Sequence, residues 1–265
     1  MTRKNILRLL GITAIVVLIG AAITWLPSLQ PGAAVLSDTP VPTQGAVETG
    51  NQLASEGKLE EAFAQYNNAI QNNTDLAAAY SGRGNIFTQW RRFAEAANDY
   101  TASLQYDQSA EVLISRCTAN RMLAKPEAAE ADCNQAIELN PEQGEAYLAL
   151  AMLKLDQGNS TEAEEAVQAA LEINPESATT YHVLFQIHLI NGALDEAIET
   201  ISTSIEIDPS QPQYYWDRGF TYYMTGQIEP AKEDMRQLLE VGNPERDGEL
   251  LLKAGTLLSS FGETP

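Results

Sequence analysis

The chain has 265 residues, with 16 Lys and Arg against 36 Asp and Glu for a net charge of −20. A body that acidic repels nucleic acid and anionic lipid head groups and favours solubility or basic partners. Two histidines, two cysteines and no HExxH or CxxC motif leave little material for a metal centre.

In chain order, residues 1–8 are a short basic N-terminus with Arg3, Lys4 and Arg8. Residues 9–26, LLGITAIVVLIGAAITWL, are uncharged and end at Pro27. Their length reaches the lower limit for a membrane-spanning helix and exceeds a signal-peptide core. No Ala-x-Ala cleavage site or lipoprotein cysteine follows, so an uncleaved anchor is expected over a removed signal peptide. The next basic residue after the span is Lys58, so the positive-inside rule puts the N-terminus in the cytoplasm and the rest outside it, periplasmic or lumenal. Without the three leading bases, thirteen bases face 36 acids, a net of −23. Residues 27–42, with Pro27, Pro31, Pro40 and Pro42, form a semi-extended linker.

From residue 43 to 245 the chain repeats. Ala62, Ala96, Ala129, Ala163, Ala197 and Ala231 stand 33 or 34 residues apart, a period that marks stacked helical repeats. Sixteen residues before each comes an aromatic or apolar residue (Tyr80, Tyr147, Tyr181, Tyr215; Ala46 and Leu113 are weaker). Twelve before comes a mostly small one: Gly50, Gly84, Cys117, Ala151 and Gly219, with Phe185 the misfit. Tyr147, Leu150, Ala151 and Lys154 share one helical face, and turns at Gly57, Gly158, Gly192 and Gly226 split the units in two. Three units close on Asn-Pro or Asp-Pro, at Pro141, Pro175 and Pro209. This pattern resembles the tetratricopeptide repeat (TPR) family. The resemblance implies an all-α, right-handed solenoid of about six stacked helix-turn-helix repeats whose concave groove, lined by the first helix of each pair, holds a partner segment. Within residues 246–265, Leu250, Leu251, Ala254, Leu257, Leu258 and Phe261 form one apolar stripe, which predicts a capping helix opened by Pro244 and a short tail.

No motif for catalysis or cofactor binding is present, and the chain is read as not an enzyme, with no cofactor. His182 and His188 point to different sides of one helix, His182 toward the groove. Glu60, Glu61, Glu162, Glu164, Glu165 and Glu196 fall on outer, solvated faces. The expected groove changes character along the chain. Asn51, Ser81, Asn85, Thr88, Gln89, Ser115, Thr118 and Arg121 make its first half polar. Leu148, Met152, Leu155, His182, Val183, Gln186, Leu189, Ile190, Trp216, Phe220, Tyr223 and Met224 make its second half apolar and aromatic, the residue types of protein-binding hot spots. Neighbouring helices covering them as ordinary core is the alternative. Family members that clamp acidic C-terminal tails use lysines where this chain has Val47, Ser81, Ile114 and Leu148, so that use is not expected.

Cys117 and Cys133 lie on the two helices of one repeat and come level when the pair folds near Lys125. Two readings stay open: a disulfide, which an oxidising compartment allows, and two buried free thiols packing as small apolar residues, since facing Cα atoms on adjacent helices can lie too far apart to bridge. The resulting reading is a membrane-tethered, extracytoplasmic scaffold or assembly factor that captures a protein or peptide segment; the acidic charge is first of all a solvated surface, with a basic segment as the alternative reading. The rivals are a holder of precursor proteins, an accessory enzyme with an unrecognised site, and a structural self-associating oligomer.

Overall fold

The computed structural model describes residues 45–262. The basic N-terminus, the apolar run 9–26 and the proline linker lie outside the described residues. Among the described residues there are thirteen α-helices and no strand, and no helix is long and apolar enough to cross a membrane.

Residues 45–108 form one compact unit of two helix pairs. They are α1 (Ala46–Ser55), α2 (Leu59–Gln71), α3 (Leu76–Gln89) and α4 (Phe93–Ser103). Residues 109–262 form a second unit. It contains α5 (Ala110–Met122) with α6 (Pro126–Leu139), α7 (Gly144–Asp156) with α8 (Ser160–Ile173), and α9 (Ala178–Asn191) with α10 (Leu194–Ile207). After α11 (Pro212–Met224) and α12 (Ile228–Val241) comes α13 (Pro244–Ser260), unpaired among the described residues. The cap helix thus begins at Pro244, with Asn243 Oδ1 accepting from the N–H groups of Glu245 at 2.8 Å and Arg246 at 3.4 Å, which satisfies amides that no helical carbonyl reaches.

The repeat is built from columns of small and large side chains that fit each other. All six in-register alanines are fully buried, because helices can cross this closely only where a side chain is no larger than a methyl. The column twelve residues before each alanine faces the column four after it. A methyl added at Gly50 would stand 2.8 Å from the Tyr66 ring, one at Gly84 2.7 Å from the Tyr100 ring, and one at Gly219 would strike Met235. In the third pair the two positions are Cys117 and Cys133, joined by a disulfide with Cα atoms 5.5 Å apart. Phe185, the misfit of its column, lies buried in one cluster with Ile201, where the large member of the pair has changed sides. In residues 109–262 the first helices also meet one another, α5 with α7, α7 with α9, and α11 with α13. That contact places them on the inner side of the stack.

A second set of columns ties each pair electrostatically. Arg83, Arg116 and Arg218 on first helices each donate two hydrogen bonds to an aspartate sixteen residues on, Asp99, Asp132 and Asp234, at 2.6 to 3.0 Å. Those carboxylates are 3 to 6% exposed, and the bidentate fork is what makes burying them tolerable. Arg83 also reaches Asn67 at 2.6 Å and Arg218 reaches Ser202 at 3.1 Å, so each binds the preceding pair as well. In the fourth and fifth pairs the same columns hold Leu150 with Ala166 and Leu184 with Thr200.

Candidate partner-binding face

The first helices carry the side chains that matter, and each unit has its own character. In residues 45–108, Asn51 and Asn85 are exposed and accept from the hydroxyls of Tyr66 at 2.7 Å and Tyr100 at 2.8 Å. Each bond fixes the carbonyl end of the amide. Burial raises the Tyr66 hydroxyl above its ordinary pKa.

In residues 109–262 the expected face divides into floor and surface. Leu148, Met152 and Leu155 on α7 are half-buried and pack against the buried cluster to which Val183, Leu184 and Ile187 belong. Val183 is buried, and so is Leu189. His182 on α9 is half-buried between the rings of Phe185 and Tyr214, with Nε2 2.7 Å from an Asp217 carboxylate oxygen. The other oxygen accepts from Gln213 at 2.9 Å, so a buried carboxylate is doubly satisfied. Gln186 is half-buried one turn on.

Phe220 follows the alternative of ordinary core, and Trp216 does so except where it helps wall a cavity. Trp216 and Phe220 are 9% and 6% exposed and belong to the core cluster that α9 to α13 build. The reason is α13. In a longer stack these positions would face the groove, but the cap helix folds over them, and Leu257 and Leu258 pack there. Val183 is core for a similar reason, the close approach of α7 to α9. What reaches the surface is Tyr223, 43% exposed with its ring against Phe261 at 5.7 Å; Met224 beside it is half-buried.

Leu252, which the sequence reading left out, is 71% exposed. With Trp216, Lys253, Thr256, Leu257 and Ser260 it lines a cavity of about 390 Å³. It was legible as the one leucine of α13 outside the packing stripe. Two ion pairs flank the face: Arg121 of α5 with Asp156 of α7 at 2.7 Å, and Lys253 with Glu249 at 2.7 Å. Lys154, read as part of an apolar face, is instead nearly buried and holds Glu130 of α6 and Glu162 of α8, each at 2.7 Å. These hydrogen bonds, Glu130 first, raise its pKa above the ordinary lysine value.

A family model for the tetratricopeptide repeat matches residues 123–184 and 154–217, and a second TPR-repeat model matches 50–90. Together they cover just over half of the chain. The chain belongs to the tetratricopeptide repeat family. This TPR chain is 27% identical over 108 residues to human Tetratricopeptide repeat protein 6, a stretch that covers 41% of it and 21% of that relative; it thus spans about a fifth of the length of that curated relative. A tetratricopeptide repeat protein from Parabacteroides merdae superposes with a TM-score of 0.68 at 23% identity, covering 82% of this chain and 86% of that one. YrrB, a TPR protein described as having an unusual peptide-binding site, superposes at 0.50 with 24% identity over 64% of this chain and 88% of that one. At such identities the likeness speaks for the TPR fold.

Proposed function

We propose that this TPR chain is a membrane-tethered, extracytoplasmic scaffold or assembly factor that captures a protein segment on the first-helix face of residues 109–262. The observation that carries the reading is the exposure of Tyr223 and Leu252, 43% and 71%, together with the apolar cavity of about 390 Å³ that Leu252 lines. Large apolar side chains held on rigid helices around a recess are what binding hot spots are made of. The peptide-binding site named for YrrB gives a precedent within the fold. For the tether, the support is Arg3, Lys4 and Arg8 ahead of an 18-residue uncharged run. The Cys117–Cys133 bridge suits an oxidising compartment. A tether would raise the local concentration of the face at the membrane.

Photo-crosslinking residues placed at Tyr223 and Leu252 test capture in the native cell. They should trap the same discrete partner, while one at Glu206, on the opposite helix row, should not. A ladder shared by all three positions would favour a holder of many clients. A periplasmic-type reporter fused after Pro265 tests topology, and activity only in the cytoplasm would overturn it.

A further inference from the structure

We propose that the partner segment held on this face is a cationic amphipathic one, apolar where it meets α11 and α13 and bearing Lys or Arg on its flanks. The inference rests on the capture reading and adds the chemistry of what is captured.

The apolar requirement comes from the cavity walls, Trp216, Leu252 and Leu257, and from the exposed Tyr223 on α11, whose ring meets Phe261 of the cap. Leaving such surface in water is costly, and a partner that covers it must match it. The charge requirement comes from two independent features. Among the described residues Lys253 is the one charged residue lining the cavity; its side chain is half-exposed, and Glu249 holds its ammonium at 2.7 Å with its own side chain 83% exposed. The rim therefore carries an ion pair whose more exposed member is the anion. In the helices that precede it the chain is one-sided: between Lys154 and Arg218 there is no Lys or Arg and there are 12 Asp and Glu. Most of these carboxylates are exposed on α8, α10 and the adjoining turns. They do not touch the cavity; they set the sign of the field through which a segment approaches. The cations that bound this stretch are engaged, Lys154 by Glu130 and Glu162 and Arg218 by Asp234. An acidic amphipathic segment would meet repulsion over the whole unit, a neutral one would gain no steering, and a cationic one gains both rate and affinity.

The test uses the full chain in phosphatidylcholine nanodiscs, with empty discs as the baseline. Three labelled peptides are titrated by fluorescence anisotropy: a Leu/Lys amphipathic helix, the same peptide with Glu for Lys, and one with Ser for Leu. The Leu/Lys peptide should bind at least about ten-fold more tightly than either other, since both the apolar and the charge match are needed. Raising NaCl from about 50 to 300 mM should weaken it about ten-fold as screening shortens the field. Tyr223→Ser with Leu252→Ser, both exposed positions, should weaken it about ten-fold with helicity unchanged. Equal binding of the Glu peptide would overturn the proposal. So would undiminished binding by the double variant, which would mean diffuse attraction to the acidic surface. A partner crosslinked at Tyr223 through an acidic or neutral segment would sink the cationic inference and leave capture standing; no crosslink at either position would sink capture itself.

Discussion

At the residue scale the six turns inside the helix pairs show how sequence and strain relate. Five residues before each in-register alanine the backbone is left-handed: at Gly57, Gly158, Gly192 and Gly226, but also at Arg91 with φ 59° and Ala124 with φ 53°. A Cβ in that conformation costs about 1–2 kcal/mol, and glycine gives back about 0.5–1 kcal/mol in unfolded-state entropy. Ala124→Gly should therefore stabilise residues 109–262 by about 0.5–1 kcal/mol, read as a higher urea midpoint at unchanged slope; a lower midpoint would show that Ala124 does not hold the left-handed turn. Gly84→Ala runs the other way. Its methyl would sit 2.7 Å from a Tyr100 ring pinned by Asn85 at 2.8 Å and Thr88 at 3.0 Å, an overpacking of about 1–3 kcal/mol. Pairing it with Tyr100→Leu should recover part of that loss, whereas additive losses would contradict the contact. The small-residue column was plain in the sequence, and so was the turn glycine in four of six repeats. The bidentate Arg–Asp pairs were not, although their sixteen-residue spacing recurs three times. Charges on helices read as solvated surface until it is known which columns face each other.

At the scale of elements, α13 decides what the face is. From sequence it was a cap with a stripe of leucines, which is how it folds. That the stripe would cover Trp216 and Phe220 depends on where an unpaired helix lands, and no periodicity within α11 carries that information. The consequence is measurable. Trp216→Ala should destabilise by about 3 kcal/mol or more, as for a large buried aromatic, with loss of helicity near the thermal midpoint. Tyr223→Ser and Leu252→Ser should stay within about 1 kcal/mol of the parent, because exposed positions give up little burial. A Trp216→Ala protein as stable as the parent would return that side chain to the surface. The disulfide between α5 and α6 is a second device at this scale. Both sulfur-bearing residues are fully buried, so reduction requires the helices to part. Removing the bridge by Cys117→Ala with Cys133→Ala should cost about 3 kcal/mol on the chain-entropy account of its loop. Calorimetry of the double variant checks this. A shift much smaller than that would mean that small side chains at these two columns suffice to pack the pair, as Ala151 and Val167 do in the next repeat.

At the scale of the molecule, a net charge of −20 makes loss of positive charge and gain of negative charge equally unwelcome, and both happen together at high pH. Lys154 is raised above 10.5 by its bonds to Glu130 and Glu162. Tyr66, Tyr214 and Tyr215 are raised above 10.0, chiefly by burial. For all four the folded state holds the proton more firmly than the unfolded chain. Their contribution is therefore fully present below the unfolded values and is lost as pH rises through the folded ones. Urea midpoints should be level from neutral pH to about 9 and fall from about 10 upward, as the reference values for Tyr and Lys require. Tyr66→Phe should lower stability modestly at neutral pH through loss of the 2.7 Å bond to Asn51, yet flatten the alkaline decline. Added NaCl should restore only the part of the decline due to long-range repulsion, because screening acts weakly on buried groups. A Tyr66→Phe curve parallel to the parent's across the alkaline range would remove this tyrosine from the account and leave the fall to Lys154 and to the overall charge.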